Sequence, residues 1–136
     1  MADAPFSLRE LQLAELSILR EVDALCRRHH LTYYLGEGSL LGAIRHHGFI
    51  PWDDDLDILM PRADYERFLA LRGELPPTLA VQHHTTVKRY WSPTAKVRLL
   101  DNRRFAQQHI THLTDQNGPY IDIFPLDSVP AEDSPA

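Results

Sequence analysis

Two groups of residues in this chain have the types and spacing to do chemistry. One is the small turn Gly38-Ser39. The other is the run Trp52-Asp53-Asp54-Asp55-Leu56-Asp57-Ile58, a carboxylate cluster that ends in Asp-x-Asp on an apolar background. A β-strand places alternate residues on one face. A strand over Asp55–Met60 therefore directs Asp55 and Asp57 the same way and turns Leu56 and Ile58 into a core. Two carboxylates side by side repel each other and are tolerable when a cation or a shared proton lies between them. Hard carboxylate oxygens suit Mg²⁺ or Mn²⁺. A divalent cation on one or two carboxylates, beside a turn able to hold phosphate, reads as phosphoryl or nucleotidyl transfer.

Asp55 and Asp57 are the expected metal ligands. Asp122, between Ile121 and Ile123 on a later strand, brings in a third carboxylate, either as the third ligand or as general base for an acceptor hydroxyl. Asp53 and Asp54 cap the turn, orient the ligands or deepen the negative field. Gly38 and Ser39 hold donor phosphate through backbone N–H and hydroxyl at a helix N-terminus, or form a plain turn and cap. Lys96 and Arg98 share one face of their strand. They either neutralise phosphate charge as it redistributes in the transition state or are solvated strand charges. Arg45 offers the same service or satisfies a helix dipole. Phe49 and Trp52 stack a base or, the favoured reading, pack the loop. Eight histidines, six of them in adjacent pairs, argue for zinc only weakly, because neighbours on regular structure do not face one site.

These residues need elements to position them. Ser7 and Glu10 fit a capping box, and Leu11, Ala14, Ile18, Val22 and Leu25 recur at helical spacing, which predicts a helix from about Leu8 to about Arg28. Arg27, Arg28, His29 and His30 suit its negative end, and Cys26 reads as a small buried hydrophobe. Leu31–Leu35 is rich in β-favouring residues and predicts a strand. Ser39 suits the N-cap of a short helix, Leu40–His47, with Gly48 at its C′ position. Pro51 keeps the next segment a loop, and Pro61 suits the first turn of a helix carrying Tyr65, Phe68, Leu69 and Arg72 on or near one face. Gly73 and Pro76-Pro77 stop it. Leu79–His83, Ala95–Leu99 and Tyr120–Phe124 predict strands, the second half-buried because apolar and basic residues alternate. Residues 103–112 fit a loop or short helix, and the segment from Pro125 a loop or frayed tail. The order predicts an α/β (α+β) domain, a small mixed sheet flanked by helices, over residues 1–130, with a flexible tail over 131–136.

Composition sets outer bounds. With 136 residues, 43% hydrophobic and 24% charged, one globular domain is expected. A net charge of −5 and the lack of basic stripes argue against a nucleic-acid partner. No apolar run is long enough for an integral membrane segment. A single cysteine and a start without signal-peptide pattern fit a cytoplasmic location.

The pattern of Gly-Ser, an Asp-x-Asp strand and a later isolated Asp resembles the nucleotidyltransferase (polymerase-β-like) superfamily. Within it, the runs over residues 35–46, 48–58 and 120–127 resemble the LicD family. The likeness spans about Tyr34 to Pro130. The resemblance implies a nucleotidyltransferase fold and metal-dependent transfer of a phospho-alcohol, such as phosphocholine or an alditol phosphate, from a CDP-activated donor to a hydroxyl of a glycan or small-molecule acceptor. It also implies that acceptor-binding segments follow the second block. Nucleotidyl transfer from a nucleoside triphosphate, and a nucleotide-binding domain without turnover, are the alternatives.

Overall fold

The computed structural model describes residues 7–87, 90, 92–100 and 118–128. Helix α1 (Leu8–Arg28) starts where expected, with the Ser7 hydroxyl accepting from the Glu10 N–H. It leads to the short strand β1 (Tyr34–Leu35), helix α2 (Glu37–Arg45), strand β2 (Asp57–Pro61) and helix α3 (Arg62–Ala70). A single 3₁₀ turn at Arg72–Glu74 precedes β3 (Leu79–Gln82), β4 (Ala95–Leu99) and β5 (Tyr120–Leu126). The five strands form one mixed sheet in the order β1-β2-β5-β4-β3. β2 and β5 are its parallel pair, with Asp57 opposite Asp122 and Ile58 opposite Ile123; the other pairs are antiparallel.

Alternation along the strands sorts the sheet into two faces. Ile58 and Met60 of β2, Ile121 and Ile123 of β5, Ala95 and Val97 of β4 and Val81 of β3 are buried together with Ile18, Val22, Leu25 and Cys26 of α1 and Tyr65, Phe68 and Leu69 of α3. Each large apolar side chain so buried contributes roughly 1.5–3 kcal/mol. The other set of positions carries Asp57, Asp122, Lys96 and Gln82 in one continuous cross-strand row.

Several expectations are corrected by local hydrogen bonding. The strand expected from Leu31 begins only at Tyr34. The Leu31 N–H donates to the Cys26 carbonyl at 2.8 Å, and His30 takes a left-handed φ of 56°, so this segment finishes the α1 cap. Helix α2 is capped by Gly36, not Ser39: Ser39 lies in its first turn, with its N–H on the Gly36 carbonyl at 3.0 Å. At the other end His47, not Gly48, takes the left-handed conformation, with φ 54°. β2 starts at Asp57, so Asp55 precedes the strand. β4 is buried rather than half-exposed, Lys96 and Arg98 included. β5 runs on through Pro125 to Leu126, where the segment from Pro125 was expected to be loop. On α1, Gln12 and Glu15 rather than Leu11 and Ala14 continue the buried stripe. Residues 103–112 and the expected tail lie outside the described residues.

The loop between α2 and β2 presses on α2 at Gly42. A Cβ there would collide with the Gly48 carbonyl oxygen and come within 2.9 Å of the Ile50 nitrogen, both backbone atoms. Gly42→Ala must therefore push residues 48–50 away from α2, and a loss of about 1–3 kcal/mol is expected, read as a lower midpoint in urea denaturation. An unchanged midpoint would show that the loop yields freely.

Candidate functional site

The carboxylates collect at one end of the β2–β5 pair. Asp57 is 9% exposed and stands directly opposite Asp122, and the Asp122 N–H donates to the Leu56 carbonyl at 3.1 Å. Asp53, Asp54 and Asp55 arrive from the loop just before, with carboxylate oxygens that lie within 4.8 Å of one another. Parallel pairing with β5 explains why residues 65 positions apart in the chain meet here.

The turn before α2 is tied to this cluster by two reciprocal bonds. The Gly36 N–H donates to the Asp57 carbonyl at 2.9 Å, and the Asp57 N–H donates to Ser39 Oγ at 2.9 Å. Ser39 is thus already engaged through N–H and oxygen, although a hydroxyl that accepts one bond retains a proton to donate. A Cβ on Gly38 would sit 2.6 Å from Asp53 Oδ2, so only glycine lets that carboxylate approach the turn so closely. Glu37, between these glycines, holds a φ of 45°, a conformation that costs a non-glycine residue about 1–2 kcal/mol.

Among the described residues, the bases beside these acids come from β4. Lys96 stands between Asp122 and Gln82 in the cross-strand row. Its Nζ lies 2.5 Å from Asp122 Oδ1 and 4.3 Å from the centre of the Tyr120 ring. Arg98 is occupied differently: its Nε donates to Gln82 Oε1 at 2.9 Å, its Nη1 donates to the Gly118 carbonyl at 2.5 Å, and its guanidinium lies over Tyr120 at 4.4 Å. Burial pushes the Arg98 pKa down and that of Tyr120 up to about 12. Both bases are buried, which removes the solvated-charge alternative for them. Arg45 is exposed in the last turn of α2, seven residues or roughly 10 Å of helix from Gly38, and the structure does not bring it to the cluster. Trp52 does not pack the loop. It is 76% exposed, with an edge-on contact to His46, whereas Phe49 packs against the core.

Helix α1 contributes two residues that the spacing of its apolar side chains did not reveal. The Gln12 amide donates to the backbone carbonyls of Ile50, at 3.3 Å, and Asp53, at 2.9 Å, and so holds the acidic loop against the helix. One turn on, Glu15 is buried toward the same loop. The readable signal was two polar residues, three apart, continuing the stripe of Ile18, Val22 and Leu25.

So much negative charge in partial burial shifts the acids upward. Burial, then the charges of Asp55 and Asp122, raises Asp57 to about 7; burial, then the Asp53 carboxyl, raises Asp55 to about 6. Burial, then the charges of Asp55, Asp54, Asp57 and Asp53, raises Glu15 to about 9. Among the described residues, Asp53, Asp54 and Asp55 are the acids whose carboxylate oxygens lie close enough together to share a cation, and such an oxygen-rich donor set suits a hard divalent one; Asp57 and Asp122 stand beside them on the paired strands but do not join that group.

With that geometry in place, sequence comparison identifies the class: residues 30–134 match the family described as LicD/FKTN/FKRP, nucleotidyltransferase domain, and the chain belongs to that family. Among curated relatives it is 39% identical over 140 residues to the lipopolysaccharide cholinephosphotransferase LicD of Haemophilus influenzae. That match covers 93% of this chain and 46% of the relative. Uncharacterised proteins of Rickettsia typhi and Rickettsia prowazekii are 38% and 41% identical over 56 and 46 residues. These matches take in 41% and 34% of this chain and 18% and 17% of the relatives. The chain thus spans less than half the length of the curated relatives it matches. Among the described residues no helix is long and apolar enough to cross a membrane.

The shifted acids set the pH dependence of the metal-free protein. Unfolded, Glu15 and Asp57 titrate near their ordinary 4.5 and 3.8; folded, near 9 and 7. Between those limits the folded state binds more protons, so its stability falls as pH rises. In EDTA, the melting temperature is expected to be higher at pH 5 than at pH 8; a flat or rising profile would contradict the arrangement. Lys96→Met leaves Asp122 without its ammonium in a mostly buried site, and a loss of about 3–5 kcal/mol is expected in chemical denaturation.

Proposed function

We propose that this protein is a metal-dependent transferase with a nucleotidyltransferase fold. It moves a phospho-alcohol, phosphocholine foremost, from a CDP-activated donor to a hydroxyl of a glycan. The observation that carries the reading is the cross-strand row Asp57–Asp122–Lys96, set beside a turn locked to Asp57 by hydrogen bonds. Family membership supports the donor and acceptor classes, as does the name of the Haemophilus relative, a cholinephosphotransferase acting on lipopolysaccharide.

When bound, Mg²⁺ or Mn²⁺ would offset the charge of the donor diphosphate, and Asp55, Asp57 and Asp122 would hold it. The chain's own residues do the rest. Gly38 and the Ser39 hydroxyl face the donor phosphates at the start of α2, where the helix dipole favours anions. The exposed indole of Trp52 offers a surface on which the donor base stacks. The acceptor hydroxyl attacks the β-phosphorus in line and its proton passes to a carboxylate of the cluster. The bond from that phosphorus to the bridging oxygen breaks, and CMP leaves as the phospho-alcohol is joined to the acceptor. Lys96 keeps Asp122 in place and adds positive charge near the transferred group.

The test incubates the purified full chain with CDP-choline, Mg²⁺ and a lipopolysaccharide acceptor and follows release of CMP. Asp57→Asn is expected to lower turnover by about 10²–10³-fold, the scale for loss of one preorganised electrostatic partner, while the far-ultraviolet circular dichroism stays that of the parent. Equal turnover in the variant would remove Asp57 from the site. Release of pyrophosphate from CTP, without CMP from CDP-choline, would instead make the protein a nucleotidyltransferase.

A further inference from the structure

A buried acid on α1 stands outside the family-like motifs. Glu15 lies on α1, 38 residues before Asp53, and is only 3% exposed. Among the described residues its Oε1 is a buried oxygen without a hydrogen-bond partner. Burial weighs on it most, followed by the charges of Asp55, Asp54, Asp57 and Asp53. Gln12, on the same face one turn earlier, clamps the backbone of that loop. A buried carboxyl oxygen without a hydrogen-bond partner is costly unless something polar completes it. Packing does not require it, because an apolar residue at this position would continue the stripe of Ile18 and Val22.

We propose that Glu15 is a positioning residue for the divalent cation of the carboxylate site, its unpartnered oxygen accepting hydrogen bonds from the cation's retained water. The inference rests on the metal-dependent reading above. Mg²⁺ sheds its water reluctantly and keeps several molecules when one or two carboxylates bind it. Residues that hold such outer groups commonly change metal affinity 10–100-fold when altered. The arrangement also gives α1 a task beyond packing: the helix senses, through one side chain, whether the site between β2 and β5 is filled.

The test measures Mn²⁺ affinity by titration calorimetry, and melting temperature with and without Mn²⁺, for the full chain, Glu15→Gln and Asp57→Asn. Glu15→Gln keeps size and shape and removes a buried acid. Its metal-free melting temperature at pH 8 is expected to equal or exceed the parent's, while its Mn²⁺ affinity falls about 10-fold or more and the metal-induced rise in melting temperature shrinks. A merely structural Glu15 would lower the metal-free melting temperature and leave the affinity alone. Equal affinity in parent and Glu15→Gln, with affinity lost in Asp57→Asn, overturns this assignment and leaves the metal site standing. Absence of Mn²⁺ binding by the parent chain overturns the metal-dependent reading and this inference with it.

Discussion

The structure is organised around repulsion. Asp53, Asp54, Asp55, Asp57 and Asp122 converge at one end of a parallel strand pair, with Glu15 buried behind them, and the ammonium of Lys96 is in direct contact with one of the six. Two unit charges at 4 Å repel by about 4 kcal/mol at the effective dielectric of a protein surface. A fold whose net stability is of order 5–15 kcal/mol tolerates such a site only if the surrounding scaffold holds the groups in place. The apolar side of the same sheet provides that scaffold. Ile58 and Ile123 follow Asp57 and Asp122 directly in sequence and are fully buried, so the carboxylates cannot separate without pulling these side chains out of the core.

The constraint also explains why buried basic residues occupy β4. An alternating strand with Lys96 and Arg98 resembles one with a wet face. Here that face is closed over, and each cation is matched: Lys96 with Asp122, Arg98 with Gln82, the Gly118 carbonyl and the ring of Tyr120. The guanidinium is held by Gln82 and a backbone carbonyl, whereas the lysine is in contact with a carboxylate of the cluster itself. The two residues share a face and a charge but not their partners.

Much of this was legible in the residues. Strands β3, β4 and β5 and helices α1 and α3 follow from periodicity, because long amphipathic patterns and proline stops constrain an element from both sides. The carboxylates Asp55, Asp57 and Asp122 stand out because acids rarely interrupt apolar runs. What escaped was set by contacts distant in sequence. The start of β2 at Asp57 rather than Asp55 depends on where β5 pairs, and the placement of Ser39 inside α2 depends on Gly36 and Asp57 exchanging hydrogen bonds with the turn. Gln12 and Glu15 look like the polar edge of α1 until the loop at Ile50–Asp53 is laid against them.

That exchange of hydrogen bonds has a mechanical consequence. The Gly36 N–H reaches the Asp57 carbonyl and the Asp57 N–H reaches Ser39 Oγ, so the turn before α2 cannot shift without moving the first residue of β2. The left-handed Glu37 sits inside this lock, and strain of that kind persists only where surrounding bonds over-determine the backbone. The turn at Gly36–Ser39 and the acidic end of β2 are therefore parts of one unit, with β1 and β2 paired at its edge. In-line displacement at phosphorus demands a fixed relation between the phosphate and the charges around it, and misplacement by about 1 Å can cost 10²-fold in rate. A reciprocal pair of backbone-anchored bonds is a direct way for a short chain segment to hold that relation, and it accounts for an otherwise unfavourable conformation at Glu37.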